Sequence, residues 1–60
     1  MEQDYIQYEV WAGMSEKWMT IISSTRNKAH AEEDFEACVK AGQFAYLKEI
    51  RVTVTRRHQP

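Results

Sequence analysis

LKEIRVTVTRRH, residues 47–58, is the stretch of this 60-residue sequence that decides its fold. Its apolar residues Ile50, Val52 and Val54 alternate with charged residues and threonines. Strict alternation of this kind, with β-branched side chains, is typical of a strand that has one buried and one solvent-exposed face. We therefore predict a strand over residues 47–57, with Arg51 on the solvent face.

Two more strands precede it. Over residues 5–12, Ile6, Tyr8 and Val10 fall on one face and polar or aromatic residues on the other, which predicts a first strand. Residues 13–16 suit a hairpin connection, because Gly13 can adopt a positive φ. Residues 17–24 predict a second strand. It is apolar on both faces, so the sequence does not show whether Trp18 is in the core or on the surface.

A change of period predicts a helix over residues 27–41. Gly42 suits the left-handed turn that often ends a helix. The apolar stripe, at positions i, i+4, i+7 and i+8, consists of Ala31, Phe35, Cys38 and Val39. The residues that could cap the start of the helix are Ser24, Thr25 and Asn27.

This order of elements predicts a single small α+β domain with a three-stranded, mainly antiparallel sheet and one helix packed on one face. We favour strand one as the central strand, because an antiparallel sheet can leave one face open to water. Placing strand three beside strand two instead would require a parallel pair and a right-handed crossover. In the favoured arrangement the face away from the helix holds Tyr5, Gln7, Glu9 and Trp11 together with Arg51, Thr53 and Thr55.

Size and charge limit the classes of protein. A domain this short has a marginal core and is often stabilised by a disulfide, a metal or a partner. Cys38 is the single cysteine, which excludes an internal disulfide and leaves association as the remaining route. The net charge of −1 provides no field for nucleic acid. Residues 1–4 lack the features of a signal peptide and no apolar run approaches a membrane span, so we expect a cytoplasmic protein.

No catalytic set is evident. His30 precedes Cys38 by eight residues on the same predicted helix, which separates them by about 12 Å along its axis. Cys38 also falls in the apolar stripe, where a cysteine usually serves as a core residue. His30 and Asp34 are spaced as a helical metal half-site, but an exposed ion pair is the more common role of such a pair. We therefore predict no enzyme activity, no cofactor and no metal.

Binding residues are easier to nominate. Arg, Trp and Tyr are enriched at the hot spots of protein interfaces. We predict that a partner is bound by Tyr5, Trp11, Arg51, Arg56 and Arg57. An alternative is the acidic helix face, which could occupy a basic groove on a partner and consists of Glu32, Glu33 and Glu36. The same aromatic and arginine residues could bind single-stranded nucleic acid, and a third possibility is a structural homo-oligomer.

The layout resembles that of the short proteins that bacteriophages encode to take over their hosts, among them a small inhibitor of bacterial RNA polymerase. The matching elements are the hairpin of residues 5–24, the acidic helix of residues 29–39 and the Val- and Arg-rich residues 50–57. The resemblance covers nearly the whole chain in architecture, and no functional residue is carried across. It implies a non-enzymatic protein that blocks a larger bacterial host protein or neutralises a toxin or nuclease.

Overall fold

The computed structural model describes residues 4–55. It shows a small α+β domain whose elements are β1 (Tyr5–Ser15), β2 (Trp18–Thr25), α1 (Lys28–Lys40) and β3 (Phe44–Val52). The strands form one sheet in the order β2-β1-β3, and both pairings are antiparallel. The arrangement with the first strand in the centre is thereby confirmed. No helix within residues 4–55 is long and apolar enough to cross a membrane.

The hairpin between β1 and β2 is tighter than the sequence predicts. β1 continues to Ser15, and the turn consists of residues 16 and 17. The Ser15 Oγ accepts a hydrogen bond from the Lys17 N–H at 3.2 Å. Gly13 lies inside β1 opposite Phe44, and among the described residues Gly42 is the one with a positive φ. The prediction of Gly13 as a positive-φ turn residue is therefore wrong.

Close approach of two strands explains the glycine instead. A Cβ atom on Gly13 would overlap the carbonyl oxygen of Trp18 and lie 3.1 Å from the Cα of Met19. Both of those atoms belong to the backbone of β2, so they cannot move aside as a flexible side chain would. Gly13 therefore allows β1 and β2 to approach near the hairpin end.

Both ends of α1 have side-chain or backbone caps. Asn27 is the N-cap, and its Oδ1 accepts a hydrogen bond from the His30 N–H at 3.1 Å. At the other end Gly42 has a φ of 77°. Its N–H donates to the Val39 carbonyl at 3.0 Å, and the Gln43 N–H donates to the Cys38 carbonyl at 3.2 Å. This pair of bonds is a Schellman motif, which confirms the turn predicted at Gly42.

Replacing Gly42 with alanine tests that motif. We expect Gly42→Ala to lower the free energy of unfolding by about 1 kcal/mol, because an L-residue is disfavoured at a positive φ. No atom lies within 4 Å of the added Cβ position, so the effect comes from the backbone conformation alone. Urea denaturation followed by circular dichroism measures it, and an unchanged midpoint would contradict the left-handed conformation.

The core lies between α1 and one face of the sheet. Val10 is its largest fully buried side chain. Val39, predicted as part of the apolar stripe, is 47% exposed, because only one side of α1 faces the sheet. The buried residues are Tyr8, Val10, Ala12, Ala31 and Cys38, and Phe35, Ala45 and Leu47 pack against them.

β3 faces the opposite way from the prediction. Leu47 is paired with Val10 and therefore lies on the helix side of the sheet. Alternation then places Ile50 and Val52 on the other side, and Arg51 on the helix side. The physical reason is that α1 packs over the end of the sheet that holds Leu47 and leaves Arg51 exposed beyond it. A charged residue is tolerated there because nothing buries it.

The limits of β3 also differ from residues 47–57. The strand begins at Phe44, because Gly13 at the far end of β1 provides a pairing partner. Val52 is the last strand residue, and it pairs with Tyr5, the first residue of β1. Residues 53–55 have no neighbour on β1, and residues 56 and 57 lie outside the described residues.

Candidate functional site

The sheet face away from α1, which we call the open face, is mostly apolar and aromatic. No helix covers it within residues 4–55, and Ile21, Phe44 and Tyr46 are among its exposed large hydrophobic residues. The register assigns to it Tyr5, Gln7, Glu9, Trp11 and Gly13 from β1, Phe44, Tyr46, Lys48, Ile50 and Val52 from β3, and Ile21 and Ser24 from β2.

An aromatic pair forms the centre of the open face. Trp11 and Tyr46 are directly opposite in the β1–β3 register. Their ring centroids are 6.0 Å apart and the ring planes differ by 6°, so the rings are stacked. The Trp11 Nε1 donates a hydrogen bond to the Glu9 Oε1 at 3.0 Å, which fixes the orientation of the indole. The pair is a rigid platform of the kind that contributes strongly to interfaces.

Another aromatic residue of the open face, Tyr5, has a cation over its ring. The guanidinium carbon of Arg26 lies 3.5 Å from the centroid of the Tyr5 ring, a cation–π contact. Nearby, the Gln7 Nε2 donates to the Ser24 Oγ at 2.6 Å and ties β1 to β2. These contacts hold the Tyr5 end of the open face in place and cover part of its aromatic surface.

Two of the predicted binding residues share this face. Tyr5 and Trp11 both lie on it, as the alternation predicted. Arg51 does not, and the prediction that it joins them is wrong. It pairs with Ile6 on the helix side, where its guanidinium lies 3.7 Å from the Asp4 carboxylate. The Arg51 side chain is 78% exposed and that of Asp4 is 42% exposed, so water weakens this ion pair. Arg56 and Arg57 lie outside the described residues.

The alternative acidic surface lies on the other side of the molecule. Glu32, Glu33 and Glu36 are all exposed on α1, as predicted. Because α1 packs on the opposite face of the sheet, these carboxylates and the open face cannot contact the same flat surface of a partner. No hydrogen bond or ion pair to other parts of the chain organises them within residues 4–55.

Several residues of the site escaped prediction. The predicted third strand begins at residue 47 and so leaves out Phe44 and Tyr46, although extending its alternation backward places both in β3. The sequence does not predict which face of the sheet Ile21 lies on, because both faces of its strand are apolar. Arg26 gave no sequence signal, since its contact with Tyr5 depends on where β2 ends.

The hairpin end carries another exposed aromatic residue. Trp18 is 80% exposed, which answers the question that the sequence left open, and Met14 is exposed beside the same turn. A large apolar side chain in water is unfavourable unless something covers it, so this end of the sheet could extend a contact made by the open face.

Cys38 and His30, the residues considered for catalysis, lie in the core and on the exposed side of α1, respectively. Cys38 is buried in the core, as predicted, and His30 is exposed on α1. Among the described residues, no three His, Cys, Asp or Glu side chains lie close enough together to hold a metal ion. Comparisons of the chain with protein-family models, with characterised proteins and with solved structures found no significant match.

Proposed function

We propose that this chain is a non-enzymatic protein-binding module whose open face contacts a larger protein. The observation that carries the proposal is the Trp11–Tyr46 stack on a sheet face that no helix of residues 4–55 covers. The core supports it as well, because in the part of the chain that the structure describes Val10 is the largest fully buried side chain, while several larger hydrophobic residues remain exposed. Burial of these residues against a partner would add the apolar area that so small a domain lacks.

A protein partner fits the open face better than single-stranded nucleic acid does. A base-stacking platform needs free aromatic faces with cations beside them. Here Arg26 covers Tyr5. Lys48 is directly opposite Glu9 in the register, and the carboxylate of Glu9 accepts the hydrogen bond of Trp11. Arg51, the described arginine of the predicted site, points to the opposite face. An apolar surface with an aromatic centre and few charges is instead typical of a protein interface.

The resemblance to phage host-takeover proteins suggests the class of partner. We propose a bacterial host protein, or a toxin, whose activity is blocked when the open face covers part of its surface, and we place the protein in the cytoplasm.

Two isoleucines of similar exposure provide the test. Ile21 is 45% exposed on the open face, and Ile6 is 42% exposed on the helix side, where it pairs with Arg51. We expect Ile21→Ser to weaken partner binding by about tenfold or more, because it removes an apolar side chain from the contact. Ile6→Ser should bind as the parent does. Affinity capture from nuclease-treated bacterial lysate identifies the partner, and titration calorimetry then compares the variants.

The outcomes separate the alternatives. Equal loss of affinity in Ile6→Ser and Ile21→Ser would show that the open face is not the contact surface. Capture that disappears after nuclease treatment would contradict the protein-binding proposal and favour nucleic acid. Circular dichroism of both variants establishes that each remains folded, so that a change in affinity reports on the surface.

A further inference from the structure

Within residues 4–55, the side of β3 away from β1 is an unpaired strand edge. Edge strands expose unpaired backbone N–H and C=O groups, and proteins usually protect them with a bulge, a proline, a very short strand or charged side chains. Of these protections β3 has only charged side chains, which are Lys48, Glu49 and Arg51. β3 has nine residues, contains no proline and keeps an unbroken register with β1. The other edge, β2, has a register shift at Ile22, which twists a strand and discourages pairing. β3 is therefore the edge that is open to a further strand.

We propose that β3 pairs with β3 of a second copy of this chain, antiparallel, about a two-fold axis that passes at Ile50. Directly opposed residues in a sheet lie on the same face, so the axis must coincide with a residue of β3 rather than fall between two residues. The question is then which residue of the strand can face itself in the second copy.

The charges of β3 select the register. Ile50 is the one residue of β3 at which an axis brings side chains of opposite charge directly opposite each other. An axis at Lys48, Glu49 or Arg51 would instead place a like charge opposite itself, which is destabilising. With the axis at Ile50, Glu49 of each copy faces Arg51 of the other, and the two Ile50 side chains face each other. Two opposite-charge pairs then form by symmetry. The strand is thus complementary in charge to itself in this register.

The residues after β3 support the same register. Residues 53–55 run past Tyr5, the first residue of β1, and follow Val52, the last residue of β3. Their sequence nevertheless continues the strand alternation, and their exposure still alternates, with Val54 half-buried between exposed threonines. With the axis at Ile50 these residues face residues 47–45 of the second copy. The strand that the sequence predicts beyond Val52 would then pair with β3 of the second copy.

The helices leave room for this pairing. Glu49 and Arg51 are exposed on the helix side, because α1 packs over the other end of the strand, near Ala45. In the proposed register the two Ala45 residues are ten strand positions apart, or about 34 Å along the strands. The helices of the two copies therefore lie toward opposite ends of a six-stranded sheet. The exposed ion pair of Arg51 with Asp4 can be exchanged for Glu49 of the second copy.

Charge reversal in the full chain tests the proposal. By sedimentation equilibrium we expect the parent to dimerise, and Glu49→Lys and Arg51→Glu each to weaken self-association by roughly tenfold or more, because both symmetric pairs become repulsive. An equimolar mixture of these two variants should form heterodimers, since every opposed pair is then attractive. Glu36→Lys makes the same change in charge on the exposed side of α1 and should dimerise as the parent does.

Each result decides the proposal. A parent chain that stays monomeric up to millimolar concentration overturns it, and so does a mixture of Glu49→Lys and Arg51→Glu that forms no heterodimer. Recovery in the mixture supports the register, because unfolded variants could not restore each other. The proposal is independent of the proposed function: Ile21 lies on the other edge strand, so loss of partner binding in Ile21→Ser leaves dimerisation unchanged.

Discussion

Val10→Asp should leave the chain largely unfolded at room temperature. Val10 is 0% exposed at the centre of β1, and none of the buried residues within residues 4–55 is polar or charged. An unpaired carboxylate in such a place costs several kcal/mol, whether it stays ionised or takes up a proton. A domain of this size has only about 3–5 kcal/mol of stability to lose. Far-UV circular dichroism and a urea titration measure the loss.

Val39→Asp is the matched control for this substitution. Val39 is 47% exposed near the C-terminal end of α1, so its replacement leaves the carboxylate in water. We expect a loss of less than about 1 kcal/mol, caused by a negative charge at the negative end of the helix dipole. Equal stability of Val10→Asp and Val39→Asp would contradict the packing of α1 on this face of the sheet.

The central strand and the helix were predictable because each has one dominant apolar face. The alternation of Tyr8 and Val10 with polar residues indicated which side of β1 is buried, and the structure confirms it. Ala31 and Cys38 mark the buried side of α1 in the same way. Local periodicity is sufficient when an element packs along most of its length.

β3 shows the limit of that reasoning. Alternation defines two faces of a strand but does not say which one the helix covers. In β3 the residues that pack against the core are Ala45 and Leu47, both partly buried. They form a weaker sequence signal than the β-branched residues Ile50, Val52 and Val54 that follow. The position of α1 over the sheet determines which face of β3 is covered, and that position depends on tertiary packing. The placement of Arg51 failed for this reason.

The open face was predicted in part. Trp11 was assigned to it correctly, but its partner Tyr46 was not, because the pairing depends on a register that no local pattern specifies. The cation–π contact of Tyr5 likewise depends on the end of β2. The sequence shows which residue types are suited to an interface, but only the sheet register determines which of these residues lie next to each other.

Gly13→Ala should lower the free energy of unfolding by about 2–3 kcal/mol, a large share of the stability of so small a domain. The added methyl group would overlap the carbonyl oxygen of Trp18, so β1 and β2 must separate near the hairpin end. The pairing of Ser15 with Trp18 lies beyond that point and should weaken, which amide hydrogen exchange would detect.

Gly42→Ala is the natural comparison, because both substitutions restrict the unfolded chain equally. Gly42 has open space around its Cβ position and loses only its favourable backbone conformation, whereas Gly13 meets the backbone of the neighbouring strand. Urea denaturation of the two variants side by side should therefore show the larger loss at Gly13, with faster exchange confined to the hairpin end. A smaller loss at Gly13 than at Gly42 would mean that β1 and β2 are not in close contact there, and that Gly13 serves the hairpin by its flexibility.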